Sequence, residues 1–181
     1  MLDKGLAALV IIDIQDKLLP KKEELRETLV ANTAKLITAA QLLGLPILVT
    51  EQYPEKLGAT IPRLLEQLGD APRIGKVCFS CLAAPEFLNA LQASGRNQLI
   101  LAGIESQVCV MQTALDALKR GYQVHIPHDA IASASDKTQH KTAIRRMEQQ
   151  GAQITTTLMT LFELLRAAGS PEFKELMPLL K

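Results

Sequence analysis

Three side chains of this 181-residue chain pair a reactive group with a place where chemistry is commonly done: Asp13, Lys76 and Cys109. Cys109 ends the stretch Gly103-Ile-Glu-Ser-Gln-Val-Cys109. Behind it, Val108, Met111, Leu115 and Leu118 recur at the period of a helix. The pattern predicts a buried strand over Leu99–Ala102, a tight turn at Gly103 and a helix from about Gln107, stopped by Lys119-Arg120 and Gly121. With Ser106 as N-cap, Cys109 falls in the first turn. The positive end of a helix dipole there would lower the thiol pKa and favour the thiolate. Asp13 closes the apolar run Leu6–Ile12, and Lys76 stands in the weaker stretch Arg73–Val77. A thiol nucleophile, a carboxylate base and a cation that holds the thiolate or polarises a substrate suffice for covalent catalysis without a histidine. Each also has a plainer reading: an inert small hydrophobe, a strand-ending loop carboxylate and a solvated lysine. The fold decides between them by bringing the three together or keeping them apart.

The surrounding elements can be read from periodicity and punctuation. Leu6–Ile12 is a strand buried on both faces. Lys22–Leu43 is a long amphipathic helix closed by Gly44, and Ile47–Val49 a second buried strand. A polar loop over Glu51–Thr60 leads to a short helix, Ile61–Leu68, with Pro62 in its first turn. Arg73–Val77 is a third strand, followed by a helix over Pro85–Ala93 and a strand over Gln98–Ala102. After the Cys109 helix come a strand at Gln123–Ile126, a helix at Lys137–Gln150, a strand at Ala152–Thr155 and a helix at Thr160–Ala168 with a Thr160/Glu163 capping box. The tail from Pro171 to Lys181 carries Phe173, Leu176, Met177 and Leu179, and is expected to dock on the body or on a neighbour.

This alternation predicts one α/β domain over residues 1–181. It is a three-layer α/β/α arrangement with a six-stranded, mostly parallel sheet in the order 3-2-1-4-5-6. In that order strands 1 and 4 meet where the winding reverses, and ligands bind there beyond the carboxyl ends of the strands. Asp13 and Cys109 then share one rim. Strand 3 lies roughly 10 Å from strand 1, a span the Lys76 side chain can cover.

Composition narrows the partners. A net charge of +1 and 3% aromatic residues supply neither a basic stripe nor a stacking platform, so no nucleic acid is expected. No apolar run is long enough to span a membrane, and Leu6–Ile12 lacks the flanks of a signal peptide. Three cysteines, an odd number in a chain that needs no staples, fit a reducing, cytoplasmic setting.

Taken together, the motifs resemble the isochorismatase-like superfamily, in its cysteine-hydrolase branch, over nearly the whole chain. They are Ala8-Leu-Val-Ile-Ile-Asp13-Ile-Gln15, Lys76 followed by Phe79-Ser80, Gly103-Ile-Glu-Ser-Gln-Val-Cys109-Val-Met-Gln-Thr113-Ala, and Asp129-Ala130. Thr50-Glu-Gln-Tyr-Pro54 with Leu57-Gly58, and the tail Pro171-Glu-Phe-Lys174, are most similar to the uncharacterised isochorismatase-domain proteins.

The resemblance implies a catalytic set of Asp13, Lys76 and Cys109. It also implies a cis peptide between Ile104 and Glu105, and an oxyanion hole made by the N–H groups of Glu105 and Cys109. Gln15, Tyr53, Phe79, Ile104 and His128 are candidate pocket residues, with Gln15 placed either to orient Asp13 or to contact substrate. The nicotinamidases of this superfamily carry a metal cluster after strand 2. Here that region reads Glu51-Gln-Tyr-Pro-Glu-Lys without histidine, so no metal and no cofactor are expected. Isochorismatases proper act without the cysteine, so Cys109 favours an amide-, ureido- or ester-type carbon in a small molecule. Relatives often form dimers or larger rings, which implies a homo-oligomer. Two other readings stay open. One is an interaction module with a vestigial site; the other is a thiol sensor using Cys109 or the Cys78/Cys81 pair, which otherwise lines core or pocket. Asp129 is read as a loop organiser, His125 as a strand residue and His140 as a surface helix residue.

Overall fold

The computed structural model describes residues 1–134 and 137–180. Along the chain run β1 (Ala7–Ile12), α1 (Glu23–Leu43), β2 (Ile47–Gln52), α2 (Pro54–Leu57), α3 (Pro62–Leu68), β3 (Arg73–Lys76), α4 (Pro85–Ala93) and β4 (Gln98–Ile104). There follow α5 (Met111–Lys119), β5 (Gln123–Pro127), β6 (Ile131–Ala132), α6 (Lys137–Gln149), β7 (Gln153–Thr155), α7 (Thr157–Leu165) and α8 (Pro171–Leu176). The strands form one parallel sheet in the order β3-β2-β1-β4-β5-β7, and β6 pairs with β4. The fold is the α/β arrangement expected, with seven strands rather than six.

The additional strand has a physical reason. β5 pairs with β4 only along Gln98–Ile100, then ends at Pro127, which cannot donate to a ladder. The chain turns through His128–Ala130 and returns as β6 to pair with Gly103 and Ile104. Two residues are too few for any period to show. They nonetheless support the end of β4, where the turn that carries Cys109 begins.

Side-chain alternation divides the core into two layers. Leu9 and Ile11 of β1 pack with Leu36 and Ile37 of α1 and Leu161 of α7. Ala8, Val10 and Ile12 pack on the other face with Phe87 of α4 and Ala114 of α5. A fully buried Leu, Ile or Phe contributes about 1.5–3 kcal/mol each, so β1, buried along its whole length, anchors the sheet.

Several boundaries shift. β1 begins at Ala7, because Leu6 is partly exposed. β2 runs on past Val49 through Thr50 and through Glu51 and Gln52, which open the expected loop, because the three pair with Ile74, Gly75 and Lys76 of β3. β4 continues through Gly103 instead of turning there. Gly103 has φ +138, and a Cβ would sit 2.1 Å from the Ile12 carbonyl oxygen, so the glycine serves the close approach of β1. α7 begins at Thr157, and its cap is Thr156, whose hydroxyl accepts from the Met159 N–H at 3.1 Å. The expected capping partner Glu163 instead accepts from the Leu2 N–H. In the tail, Ser170 caps α8, Leu176 is buried, and Phe173 packs on the α1-side core, so this segment docks on the body.

Candidate active site

The carboxyl ends of β1, β2, β3 and β4 bring five side chains together, those of Asp13, Thr50, Gln52, Lys76 and Cys109. Asp13 follows β1 with φ +55, a conformation Asp tolerates better than most residues. Its N–H is held by the Thr50 carbonyl at 3.1 Å. Its Oδ1 accepts the Thr50 hydroxyl at 2.7 Å, and its Oδ2 accepts from Lys76 Nζ at 2.6 Å. Lys76 also donates to Gln52 Oε1 at 2.6 Å and to the Cys78 carbonyl at 3.3 Å, which uses all three ammonium protons. The Cys109 thiol donates to the same Gln52 oxygen at 3.9 Å, and the Asp13 carboxylate is near enough to act on it electrostatically. Asp13, Lys76 and Cys109 are all buried.

The electrostatics reverse one expectation. Burial pushes the Cys109 thiol up to about 12, and Asp13 adds to the rise; Lys76 only partly offsets them. The resting group is therefore a neutral thiol, not the thiolate that a helix N-terminus would favour. Locally, Ser106–Val110 forms a turn of π-helix ahead of α5, and Ser106 is not its cap. The Ser106 hydroxyl pairs with His140 Nδ1 at 3.1 Å, so His140 is half-buried against this turn, not on the surface. Burial alone would pull Lys76 down, but Asp13 and the two nearby thiols outweigh it, and its pKa is raised. The ammonium stays charged.

The Ile104–Glu105 peptide is cis. The Glu105 carbonyl accepts from the N–H groups of Val108 and Val110, on either side of Cys109. The Glu105 carboxylate accepts from Gln107 Nε2 at 3.0 Å and from the Ala134 N–H at 2.9 Å, which fixes the turn against the segment after β6.

The candidate pocket residues separate. Gln15 is buried, and its amide is committed to the backbone: Nε2 donates to the Gln52 and Gly58 carbonyls, and Oε1 accepts from the Gln52 N–H. It therefore positions Gln52, with no amide group left to turn toward Asp13 or a substrate. Tyr53 and Phe79 are 39% and 52% exposed. They flank the cluster in sequence, next to Gln52 and beyond Cys78, and Lys56 Nζ sits 4.8 Å over the Tyr53 ring. Ile104 is fully buried in the α1-side core, not in a pocket. His128 lines a separate cavity with Asp129 and His140, which none of Asp13, Lys76 and Cys109 borders. Asp129 organises its loop, accepting from the Thr157 N–H and hydroxyl. His125 is buried in β5.

Sequence reasoning missed Gln52 and Thr50. Both stand in the Thr50-Glu-Gln-Tyr-Pro54 motif, where the expected strand ends at Val49 and the expected loop begins at Glu51. As a continuation of β2, Leu48, Thr50 and Gln52 share one face by alternation, and the face carries the site. Cys81 lies behind it, 3.6 Å from the Thr50 hydroxyl, with burial pushing its thiol up to about 11. Glu51 points away, accepting from the Thr60 N–H and hydroxyl. Among the described residues, no three His, Cys, Asp or Glu side chains are grouped to hold a metal ion, and no helix is long and apolar enough to cross a membrane.

Comparison with known proteins gives consistent matches. The family profile described as Isochorismatase domain matches residues 7–158. Isochorismatase domain-containing protein 2A of Mus musculus is 40% identical over 176 residues, 96% of this chain and 82% of the mouse protein. Among solved structures, the MAR1 ribonuclease of Caenorhabditis elegans superposes with a TM-score of 0.90 at 35% identity, over 99% of this chain and 91% of that one. The YcaC gene product of Escherichia coli, described as an octameric hydrolase of unknown specificity, gives 0.84 at 27% identity, over 98% and 94%.

Proposed function

The chain belongs to the isochorismatase-domain family of hydrolases, and we propose that it cleaves a small amide-, ureido- or ester-type substrate through covalent catalysis by Cys109. One observation carries this reading. The Cys109 thiol shares the Gln52 Oε1 acceptor with Lys76, whose buried ammonium is paired with the Asp13 carboxylate at 2.6 Å.

A thiol held neutral at rest calls for a base at the moment of attack, and Asp13 is the carboxylate of this cluster that can serve. As the substrate carbonyl arrives, Asp13 takes the Cys109 proton and Sγ bonds to the carbonyl carbon. Negative charge leaves the carboxylate as it appears on the sulfur and then on the carbonyl oxygen. Lys76 thus keeps one anionic neighbour throughout, and no net charge is created in the buried site. The oxyanion is received by the N–H groups of Glu105 and Cys109. When the tetrahedral adduct collapses, the leaving amine or alcohol takes the proton from Asp13 and a thioester remains. Asp13 then deprotonates water, which attacks the thioester. The acid is released, and the proton returns to Cys109.

The group works as one domain over residues 1–181, without metal or cofactor, in a homo-oligomer of the kind the octameric Escherichia coli relative illustrates. Three free cysteines, two of them buried, support a cytoplasmic setting. A second reading, cleavage of RNA, is favoured by the likeness to the MAR1 ribonuclease. The near-complete burial of Asp13 and Cys109 and the net charge of +1 favour the small substrate.

The test is a screen of small amides, ureides, esters and short RNAs with and without chelator, with Cys109→Ala as control. Chelator-resistant turnover of a small carbonyl compound that needs Cys109 supports the proposal. RNA cleavage indifferent to Cys109 overturns it.

A further inference from the structure

A cavity of about 470 Å³ is lined by the start of α1, by residues from His128 to Ala134, and by Lys137 and His140 of α6. Its floor is apolar, with Leu25, Leu29 and Ile131. Its rim is cationic, with Lys21, Lys22 and Lys137 beside His128 and His140. Asp129 is the one carboxylate among the described lining residues, and its Oδ1 already receives the Thr157 N–H at 2.7 Å and the Thr157 hydroxyl at 3.0 Å.

We propose that this cavity is a binding site for a small organic anion with a compact apolar body, an aryl or short alkyl carboxylate, separate from the Cys109 site. The volume falls within the roughly 300–1,000 Å³ of small-molecule sites. An apolar floor holds a ring or alkyl group by removing it from water. The lysines at the mouth receive the carboxylate as point charges, in an attraction that salt weakens. The three lysines line a single cavity of bounded volume, which suits one small molecule. The cavity also reaches the catalytic turn. His140, in its wall, pairs with Ser106, the first residue of the turn that carries Cys109.

The test is fluorine NMR of 4-fluorobenzoate titrated with the full chain. Wild-type protein gives a saturable shift that benzoate competes away and neutral benzamide does not. Lys22→Glu/Lys137→Glu, at two exposed positions, weakens binding by about tenfold or more. Lys22→Gln/Lys137→Gln weakens it less, with circular dichroism confirming the fold. Cys109→Ala binds as wild type. A signal that never saturates, equal competition by benzamide, or unchanged binding in the charge-reversed protein overturns the proposal. Binding lost in Cys109→Ala also overturns it, because the anion would then sit in the catalytic site.

Discussion

Lys76 Nζ and Asp13 Oδ2 lie 2.6 Å apart, and both side chains are sealed from solvent. Such a pair is costly to break from one side, because the remaining charge is left buried and alone. Lys76→Met should destabilise the protein by about 3–5 kcal/mol in urea unfolding at neutral pH. Asp13→Asn/Lys76→Met should recover much of that loss. If the two single changes simply add, the residues are not coupled as the contact requires.

The raised pKa values of Cys81, Cys109 and Lys76 act in one direction. A group whose folded pKa lies above its unfolded value contributes stability that is complete below the unfolded value and is lost as pH rises toward the folded one. For the thiols this window runs from an unfolded value of about 8.5 up to about 11 for Cys81 and about 12 for Cys109. Lys76 adds to the loss at the upper end. Stability should therefore fall steeply above pH ~8.5, by about 1.4 kcal/mol per pH unit for each thiol. Cys81→Ala should flatten the slope. Iodoacetamide labelling of Cys109 should keep rising through alkaline pH, and a plateau near neutrality would reveal a depressed thiol instead.

Gly103→Ala would place a methyl group against the Ile12 carbonyl, in a backbone conformation that suits only glycine. The loss of stability should be well above the ~1 kcal/mol that backbone entropy accounts for, and turnover should fall with it. Gly44→Ala, which meets open space at positive φ, is the comparison, and should cost distinctly less.

Gln52 bridges Lys76 and Cys109 and is itself clamped by Gln15. Gln52→Leu should lower kcat by about tenfold to a hundredfold, through lost positioning, while the protein stays folded. Thr50→Val removes the hydroxyl that holds Asp13 Oδ1 and should cost about 1.5–3 kcal/mol of stability, together with an altered pH–rate profile. An unchanged profile in both variants would reduce these residues to packing.

The sequence made some relationships legible and hid others for definite reasons. Asp13 and Cys109 fall on one rim because parallel strands 1 and 4 meet at the reversal, and alternation of elements is enough to place them. Lys76 follows from the reach of its side chain. Gln52 is hidden because Glu51-Gln-Tyr-Pro reads as polar loop, although pairing with β3 keeps it extended. β6 was hidden by its length. The sign of the Cys109 shift was misread because a helix-terminus argument presumes some exposure. At 5% exposure, desolvation dominates.

The most direct measurement is intact-protein mass spectrometry on acid-quenched turnover of a small ester or amide substrate. The account predicts an acyl adduct that peptide mapping places on Cys109, and neither adduct nor turnover in Cys109→Ala. Wild-type turnover by Cys109→Ala, or an adduct mapped to another residue, would contradict it.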